Sequence, residues 1–200
     1  MTSHRHNAEI KKNRNPAEYP VLGMLSRGPI HGYEICRDLS EGIGTIWRMG
    51  KSQVYQLLVR LEREGLVVHE RVGQETLPAK NVFSLTQEGE EVLRQWLDQP
   101  VAHVRDMRLE FLIKLWFIRR SNPASESMLI EKQIAACRQK VEALQRLKGA
   151  VRTQIESQSV GFRMKVVEAA ISWLEGLVEG SKGMSLDLAE NQRRCKYSDS

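Results

Sequence analysis

The sequence of 200 residues has few cysteines, few aromatic residues and no long apolar run. Its three cysteines, Cys36, Cys137 and Cys195, are odd in number and far apart, so we expect reduced thiols in a cytoplasmic protein. No apolar stretch approaches the roughly 18–20 residues that cross a bilayer, so we expect no membrane span. Aromatic residues make up 6% of the chain, which disfavours a β-sandwich.

Sequence motifs of enzymes and metal sites are also missing. We find no H-E-x-x-H, C-x-x-C, G-x-S-x-G or dinucleotide fingerprint, and the histidines and cysteines lack metal-ligand spacing. Gly50, Lys51 and Ser52 follow Gly44 as in a phosphate-binding loop, but the interval is one residue too long and no strand is predicted before it. We therefore expect no enzyme, no metal and no cofactor.

The charge of the chain indicates an anionic partner only weakly. Lysine and arginine number 30 against 25 acidic residues, which gives a net charge of +5 and a pI near 9.2. Residues 1–100 hold 13 residues of each sign, so the whole excess lies in residues 101–200. Within the neutral half, however, Thr45 to Arg60 includes Arg48 and Lys51 and has no acid, which makes this stretch locally basic.

The order of the predicted elements is that of a winged helix-turn-helix domain followed by helices. A helix begins near Pro16 and others span about Ile30–Ser40 and Gly50–Glu64, with Gly65 ending the last. Two β-rich segments then form a hairpin, and Thr86 caps a fourth helix. The predicted fold class is mainly α with a small β-hairpin wing. We expect four segments: a mobile basic arm (1–15), a winged helix-turn-helix domain (16–99), a helical dimerisation domain (100–180) and a polar tail (181–200).

The second half of the chain is predicted to be helical. Residues 105–120 are apolar nearly all round, which requires burial on most faces. A long helix follows Asn122 and Pro123, with apolar residues at 4-3-4-3 spacing that continue imperfectly through Leu147, Val151 and Ile155, and a last helix spans about 162–179. Such helices are buried more easily in a homodimer than alone. The candidate dimerisation residues are Leu112, Leu115, Trp116, Ile134, Val141, Leu144 and Trp173.

The third helix has the pattern of a recognition helix. Val54, Leu57, Leu58 and Leu61 share one face at 100° per residue, and polar side chains occupy the other face. Glutamine pairs with adenine through two hydrogen bonds, whereas basic and hydroxyl groups contact phosphates. The alternative is an amphipathic helix that is merely soluble. The candidate DNA contacts are Gln53 and Gln56 for bases, Lys51, Ser52, Tyr55 and Arg60 for phosphates, Tyr33 from the preceding helix, and Arg71 and Lys80 from the wing.

Aromatic side chains in the second half offer a candidate effector pocket. Phe111, Trp116 and Trp173 could line a cavity for a small aromatic ligand between helices. Plain core packing is the alternative for all three.

Five stretches of the sequence resemble the PadR family of transcriptional regulators. The run from Tyr19 to Ile35 contains a leucine-glycine pair, Leu22-Gly23, and the segment Gly28-Pro29-Ile30-His31-Gly32-Tyr33-Glu34, which is similar to the family's hallmark. Ser52-Gln53-Val54-Tyr55 resembles its recognition helix, and Phe83-Ser84-Leu85-Thr86 resembles the strand and helix start after the wing. Residues 105–115 and 173–175 look like an AphA-like C-terminal helical domain. The wing sequence Ala79-Lys80-Asn81-Val82-Phe83 departs from the basic, aromatic wing of many members.

The resemblance implies a homodimeric regulator that binds a double-stranded DNA operator of pseudo-palindromic sequence. Members of the family are mostly repressors, some of them released by small phenolic or drug-like ligands, and other members activate. Two alternatives therefore stay open: an activator of the same family, and a winged-helix module for protein interaction or ligand sensing that does not bind DNA.

Overall fold

The chain forms two compact units in the computed structural model, which describes residues 14–74 and 77–196, with side chains undefined at 72–80 and 180–196. The first unit comprises Met1–Gln99 and Arg108–Ser121, and the second comprises Pro100–Met107 and Asn122–Ser200. Most of the predicted basic arm, residues 1–13, lies outside the described residues.

Short helices and one small sheet make up the first unit, and longer helices make up the second. The elements are α1 (Glu18–Leu25), β1 (Ile30–His31), α2 (Gly32–Ile43), α3 (Lys51–Arg63), β2 (Val67–Gln74), β3 (Leu77–Leu85), α4 (Gln87–Asp98), α5 (Val104–Asp106), a π-helical turn (Met107–Phe111), α6 (Leu112–Ser121), a 3₁₀ turn (Pro123–Ser125), α7 (Glu126–Lys148) and α8 (Gln154–Lys196). The predicted fold class, mainly α with a small β wing, is confirmed.

The sheet has three antiparallel strands in the order β1-β3-β2. β2 and β3 form the predicted hairpin, in which Val67 pairs with Leu85. The prediction of a helix starting at Ile30 was wrong, because Ile30 and His31 form β1 and pair with Phe83 and Val82. A strand of two residues is too short to show an alternating pattern, so the sequence does not reveal β1. This strand forms because β3 offers a free edge with which Ile30 and His31 can pair.

Helix α6 packs in the core of the first unit, although the sequence led us to place it in a helical domain beginning at residue 100. Ile113 and Phe117 are buried with the residues of α1 to α4. A Cβ atom added to Gly23 of α1 would lie 2.4 Å from Cζ of Phe117, so only glycine leaves room for that ring. The absence of a side chain at Gly23 thus explains the leucine-glycine pair in physical terms.

A buried lysine ties α6 to the end of α4. Lys114 is 1% exposed, and its ammonium group donates to the carbonyl oxygen of Gln99 at 2.8 Å and lies 3.0 Å from the carboxylate of Glu110. The indole of Trp96 also donates to Glu110, at 2.9 Å, and its ring lies under the ammonium group. Burial lowers the pKa of Lys114, and Glu110 opposes that effect. The network satisfies a charge that would otherwise be costly to bury.

An ion-pair cluster fixes the start of the described chain. Glu18 of α1 has no exposed surface, and its carboxylate pairs with Arg14 at 2.7 Å and with Arg60 of α3 at 3.3 Å. Arg14 also pairs with Glu64 at 2.8 Å. Although the sequence placed Arg14 in a mobile arm, its side chain is therefore held by two carboxylates.

The second unit contains α7 and α8, which pack against each other. Ile130, Ile134, Cys137 and Leu144 are buried, as their spacing predicts. The continuation through Val151 and Ile155 was wrong, because α7 ends at Lys148 and the chain turns at Gly149. Ile155 instead lies in the first turn of α8 and is 70% exposed.

A capping motif marks the start of α8. The carboxylate of Glu156 accepts hydrogen bonds from the backbone N–H groups of Arg152 and Thr153 at 2.9 and 3.0 Å, and the Thr153 hydroxyl accepts one from the backbone of Glu156. These backbone hydrogen bonds hold the pKa of Glu156 below its ordinary value. The sequence signal is Thr153 followed three residues later by glutamate, a capping box. It places the helix start eight residues before the predicted position near 162.

No helix in the described part of the chain has the length and apolarity that a bilayer crossing requires. Within the same residues, no three histidine, cysteine, aspartate or glutamate side chains are grouped as a metal site would need.

Candidate nucleic-acid interface

Helix α3 presents one buried and one exposed face, as its sequence predicts. Val54, Leu57, Leu58 and Leu61 are buried in the core of the first unit. The exposed residues are Lys51, Ser52, Gln53, Tyr55, Gln56, Val59, Arg60 and Arg63. The core face therefore orients the mostly polar face of α3 toward solvent.

The N-terminal end of α3 is suited to bind an anion. The first turn has no acidic residue, and its first backbone N–H groups lack partners within the helix. The ammonium group of Lys51 lies 5.3 Å from the ring centre of Tyr33, which is 61% exposed on α2. Lys51, Ser52 and Tyr33 therefore converge on one helix end that carries positive charge.

A groove adjoins this helix end and extends to the hairpin. Its volume is about 760 Å³. Tyr55 lies in it, with its ring so close to Gly32 that a Cβ atom there would lie 2.9 Å from the tyrosine Cε1. Gly32 begins α2, and the Glu34 carboxylate caps that helix by accepting from the backbone of His31 at 3.2 Å. Gly32 thus leaves room for the ring of Tyr55, and Glu34 holds the start of α2 in place.

The two candidate base-reading residues lie on the exposed face of α3. Gln53 and Gln56 are both exposed. The same exposed face also carries Val59 and Arg63, for which the sequence predicted no contact with DNA. Val59 is 66% exposed and follows Gln56 by three residues. Its apolar group has the chemistry that contacts a thymine methyl.

Arg60, a candidate phosphate contact, is engaged within the protein. Its Nε atom lies 2.9 Å from the carboxylate of Glu64 and 3.3 Å from that of Glu18. The hydrogen bond to Glu64 raises the pKa of Arg60. Burial raises the pKa of Glu64, but hydrogen bonds from Arg60 and Arg14 outweigh it and hold that pKa below its ordinary value. The contact with Glu64 is four residues away on the same helix, whereas the contact with Glu18 was not predictable locally because Glu18 is distant in the chain.

The hairpin places one candidate wing residue beside the groove. Arg71 is exposed, pairs in register with Asn81, and lines the groove. His69 contacts Glu62 of α3 through its Nδ1 atom at 2.5 Å and packs against the ring of Phe83. The side chain of Lys80 lies outside the described residues, so its predicted contact stays a prediction.

The residues predicted for dimerisation differ in their exposure. Leu115, Ile134 and Leu144 are buried within the chain, Leu112, Trp116 and Val141 are half-buried, and Trp173 is exposed. Their assignment to a dimer interface stays a prediction.

The three aromatic residues predicted to line an effector pocket differ in their burial, in their contacts and in the unit that holds them. Phe111 has no exposed surface. Trp116 meets Phe117 edge to face and lies beneath the guanidinium group of Arg120. Trp173 lies on α8 in the second unit.

Part of the first unit matches a known family of proteins. A family model described as the PadR-like family of transcriptional regulators matches residues 21–95, which include all of α2, α3 and the hairpin. Residues 21–95 of this chain are therefore similar to the PadR-like family. The resemblance carried by the hallmark is confirmed, and the regulators of this family are not enzymes, as the sequence led us to expect.

Individual relatives match longer parts of the chain than the family model does. The negative transcriptional regulator PadR of Bacillus subtilis (strain 168) is 29% identical over 175 residues, which are 80% of this chain and 94% of that protein. The probable transcriptional regulator Rv1176c of Mycobacterium tuberculosis (strain ATCC 25618 / H37Rv) is 28% identical over 90 residues, 45% of this chain and 48% of its own length. The crystal structure of Bacillus subtilis PadR in complex with operator DNA matches at 26% identity, with 82% of this chain and 98% of that chain covered and a TM-score of 0.41. The similarity to the family rests on the sequence matches and not on this superposition.

Proposed function

We propose that this PadR-like regulator is a homodimeric, sequence-specific repressor that places α3 in the major groove of a pseudo-palindromic operator. The observation that carries the proposal is the exposed polar face of α3, whose acid-free first turn lies beside Tyr33 and Tyr55. The repressor role is supported by the Bacillus subtilis relative, which is a negative regulator and whose crystal structure contains operator DNA. A regulator of this kind acts in the compartment that holds the DNA, the cytoplasm.

The side chains divide by chemistry into phosphate and base contacts. Lys51, Ser52, Tyr33 and Tyr55 surround the N-terminal end of α3, where backbone N–H groups and a lysine favour a phosphate. Gln53 and Gln56 extend from the same exposed face, and an amide that pairs with adenine discriminates against other bases by about 1–3 kcal/mol. Arg71 and Lys80 contact the DNA backbone from the wing. Arg60 acts more weakly, because Glu64 and Glu18 share its charge.

Dimerisation is supported by an exposed apolar stripe on α8. Ile155, Phe162, Val166 and Trp173 are all exposed, and their 7-4-7 spacing places them within about 20° of one line along the helix. Phe162 is 71% exposed. A second copy of the chain that covers this stripe would remove it from water and bring two α3 helices to half-sites about 34–36 Å apart, or a multiple of that distance.

A gel shift with the DNA upstream of the protein's own gene, at two salt concentrations, tests the proposal. We expect a retarded complex whose affinity falls steeply with salt, because phosphate contacts release counterions. Failure to bind at low salt would contradict DNA binding. It would favour the rival function, a ligand-sensing or protein-interaction module, which the zero net charge of residues 1–100 supports. A reporter gene that loses expression when the operator is removed would instead indicate an activator.

Release by a small-molecule effector is the final part of the proposal. Phe111 has no exposed surface and is poorly placed to line a ligand site, whereas Trp116 is half-buried against Phe117. The second unit contains a better candidate.

A further inference from the structure

A cavity of about 360 Å³ lies wholly within the second unit. This volume is in the range of small-molecule sites. The segment Val101–Arg105 forms one wall, and α7 and α8 form the others. The lining residues are Val101, Ala102, His103, Val104, Arg105, Gln133, Ala136, Cys137, Lys140, Leu144, Phe162, Arg163, Val166 and Val167.

The charged side chains of this cavity are all basic. Arg105, Lys140 and Arg163 line it, and no aspartate or glutamate is among its described lining residues. Arg105 lies 3.6 Å from Asp106, whereas Lys140 and Arg163 have no ion-pair partner among the described side chains. Two cations from neighbouring helices are thus available to one anionic group, for which a carboxylate is suitable.

The apolar part of the wall is mostly branched and aliphatic. Val101, Val104, Leu144, Val166 and Val167 contribute to it, together with the exposed Phe162. A flexible hydrocarbon chain adapts to such a wall, and each buried methylene group contributes about 0.8 kcal/mol. The ligand that combines these properties is an anion with an aliphatic tail.

Val101 also lies next to Gln99 and Pro100, one of the three places at which the chain passes from one unit to the other. The side-chain amide of Gln133 accepts from the backbone N–H of Val101 at 2.6 Å and donates to its carbonyl at 3.1 Å. Helix α4 ends only three residues earlier, at Asp98. A ligand that displaces Val101 therefore acts on the segment that leads directly out of the winged unit.

We propose that this cavity binds a medium-chain aliphatic carboxylate, with Lys140 and Arg163 holding the carboxylate. The valine-rich wall holds the tail. The role of this cavity as an effector site rests on the proposed function, whereas the binding of a carboxylate in the cavity does not.

Calorimetric titration of the full chain with octanoate, without DNA, tests the site. Octanamide is the matched neutral probe, and Lys165→Gln is the matched control, since Lys165 lies on α8, pairs with Glu168 and does not line the cavity. We expect octanoate to bind at least ten-fold more tightly than octanamide to the wild type and to the control. In the double variant Lys140→Gln/Arg163→Gln the two affinities should become equal.

Three results would overturn the proposal. Equal binding of octanoate and octanamide to the wild type would remove the role of charge, and tighter binding of 2-naphthoate than of octanoate would remove the aliphatic specificity. Octanoate binding seen only in a monomeric variant would mean that a second copy fills the cavity.

A gel shift distinguishes a failure of this proposal from a failure of the proposed function. Loss of operator binding in the absence of octanoate would contradict the proposed function and leave the calorimetric result standing. An operator complex that forms normally but keeps its affinity when octanoate saturates the protein would overturn the effector role alone.

Discussion

At the scale of single residues, the exposed face of α3 follows from its sequence, but the partners of its charges do not. The periodicity of Val54, Leu58 and Leu61 was sufficient to place Gln53 and Gln56 in solvent. By contrast, the pairing of Arg60 with Glu18 joins residues of two helices. Such a contact depends on how the helices cross, which local patterns do not encode.

Replacing Lys51 tests the phosphate contact at the start of α3. In Lys51→Ala, operator and random duplexes should both lose affinity, and the slope of log K against log salt should become shallower by about 0.9, as expected for one phosphate. Fluorescence anisotropy at four salt concentrations measures this slope. Lys165→Ala, far along the chain on α8, is the control and should leave it unchanged.

At the scale of elements, the sequence predicted most helices and the hairpin, and it failed where a neighbour decides the structure. β1 exists because β3 offers a free edge, and α6 packs with the first unit because Gly23 accommodates Phe117. The start of α8 was predictable from the capping box at Thr153 and Glu156. The apolar spacing of α7 obscured the start of α8, because this spacing continues imperfectly across the turn at Gly149.

Adding a single methyl group at Gly23 tests the packing of α1 against α6. Gly23→Ala should lower the free energy of unfolding by about 1–3 kcal/mol, because the ring of Phe117 has to move in a packed core. Urea unfolding measures the change. Gly176→Ala is the matched control, since nothing lies within 4 Å of the added atom in α8, and an equal loss there would contradict this explanation.

The cap of α8 predicts a pH dependence. Glu156 has a lowered pKa in the folded chain, so its contribution to stability is present above the ordinary value of 4.5 and is lost as the pH falls through the lowered value. Glu156→Gln should therefore destabilise the protein at pH 7, and the difference from the wild type should shrink below pH 4.5. Urea unfolding at pH 7 and pH 3 makes the comparison, and a difference that is independent of pH would count against the charged cap.

At the scale of the whole molecule, the chain combines a PadR-like winged unit with a helical unit that leaves apolar side chains in water. Phe162 and Trp173 are exposed although both are large and apolar, which a single copy does not explain. Sequence periodicity predicted dimerisation but emphasised α7, whose apolar residues are mostly buried within the chain. The exposed stripe on α8 is recognised only when the structure shows which other face of α8 packs against α7.

A charge placed in the stripe tests the homodimer. Phe162→Glu should give a monomer by light scattering, with an unchanged circular dichroism spectrum because the side chain is not needed in the core. Ser172→Glu introduces the same charge at an exposed position of α8 about 100° around the helix from the line of the stripe, and it should leave the dimer intact. A wild-type chain that is monomeric at micromolar concentration would rule out the dimer directly.

The central claim is that α3 reads base sequence, and the affinity of Gln56→Ala for two duplexes tests it most directly. The duplexes are the footprinted operator and a scrambled sequence of equal length, measured by anisotropy at one salt concentration. The account predicts that the variant loses about 1–3 kcal/mol on the operator, tolerates substitution at one base position, and binds the scrambled duplex as the wild type does. An equal loss on both duplexes would contradict it, because Gln56 would then contact only the DNA backbone.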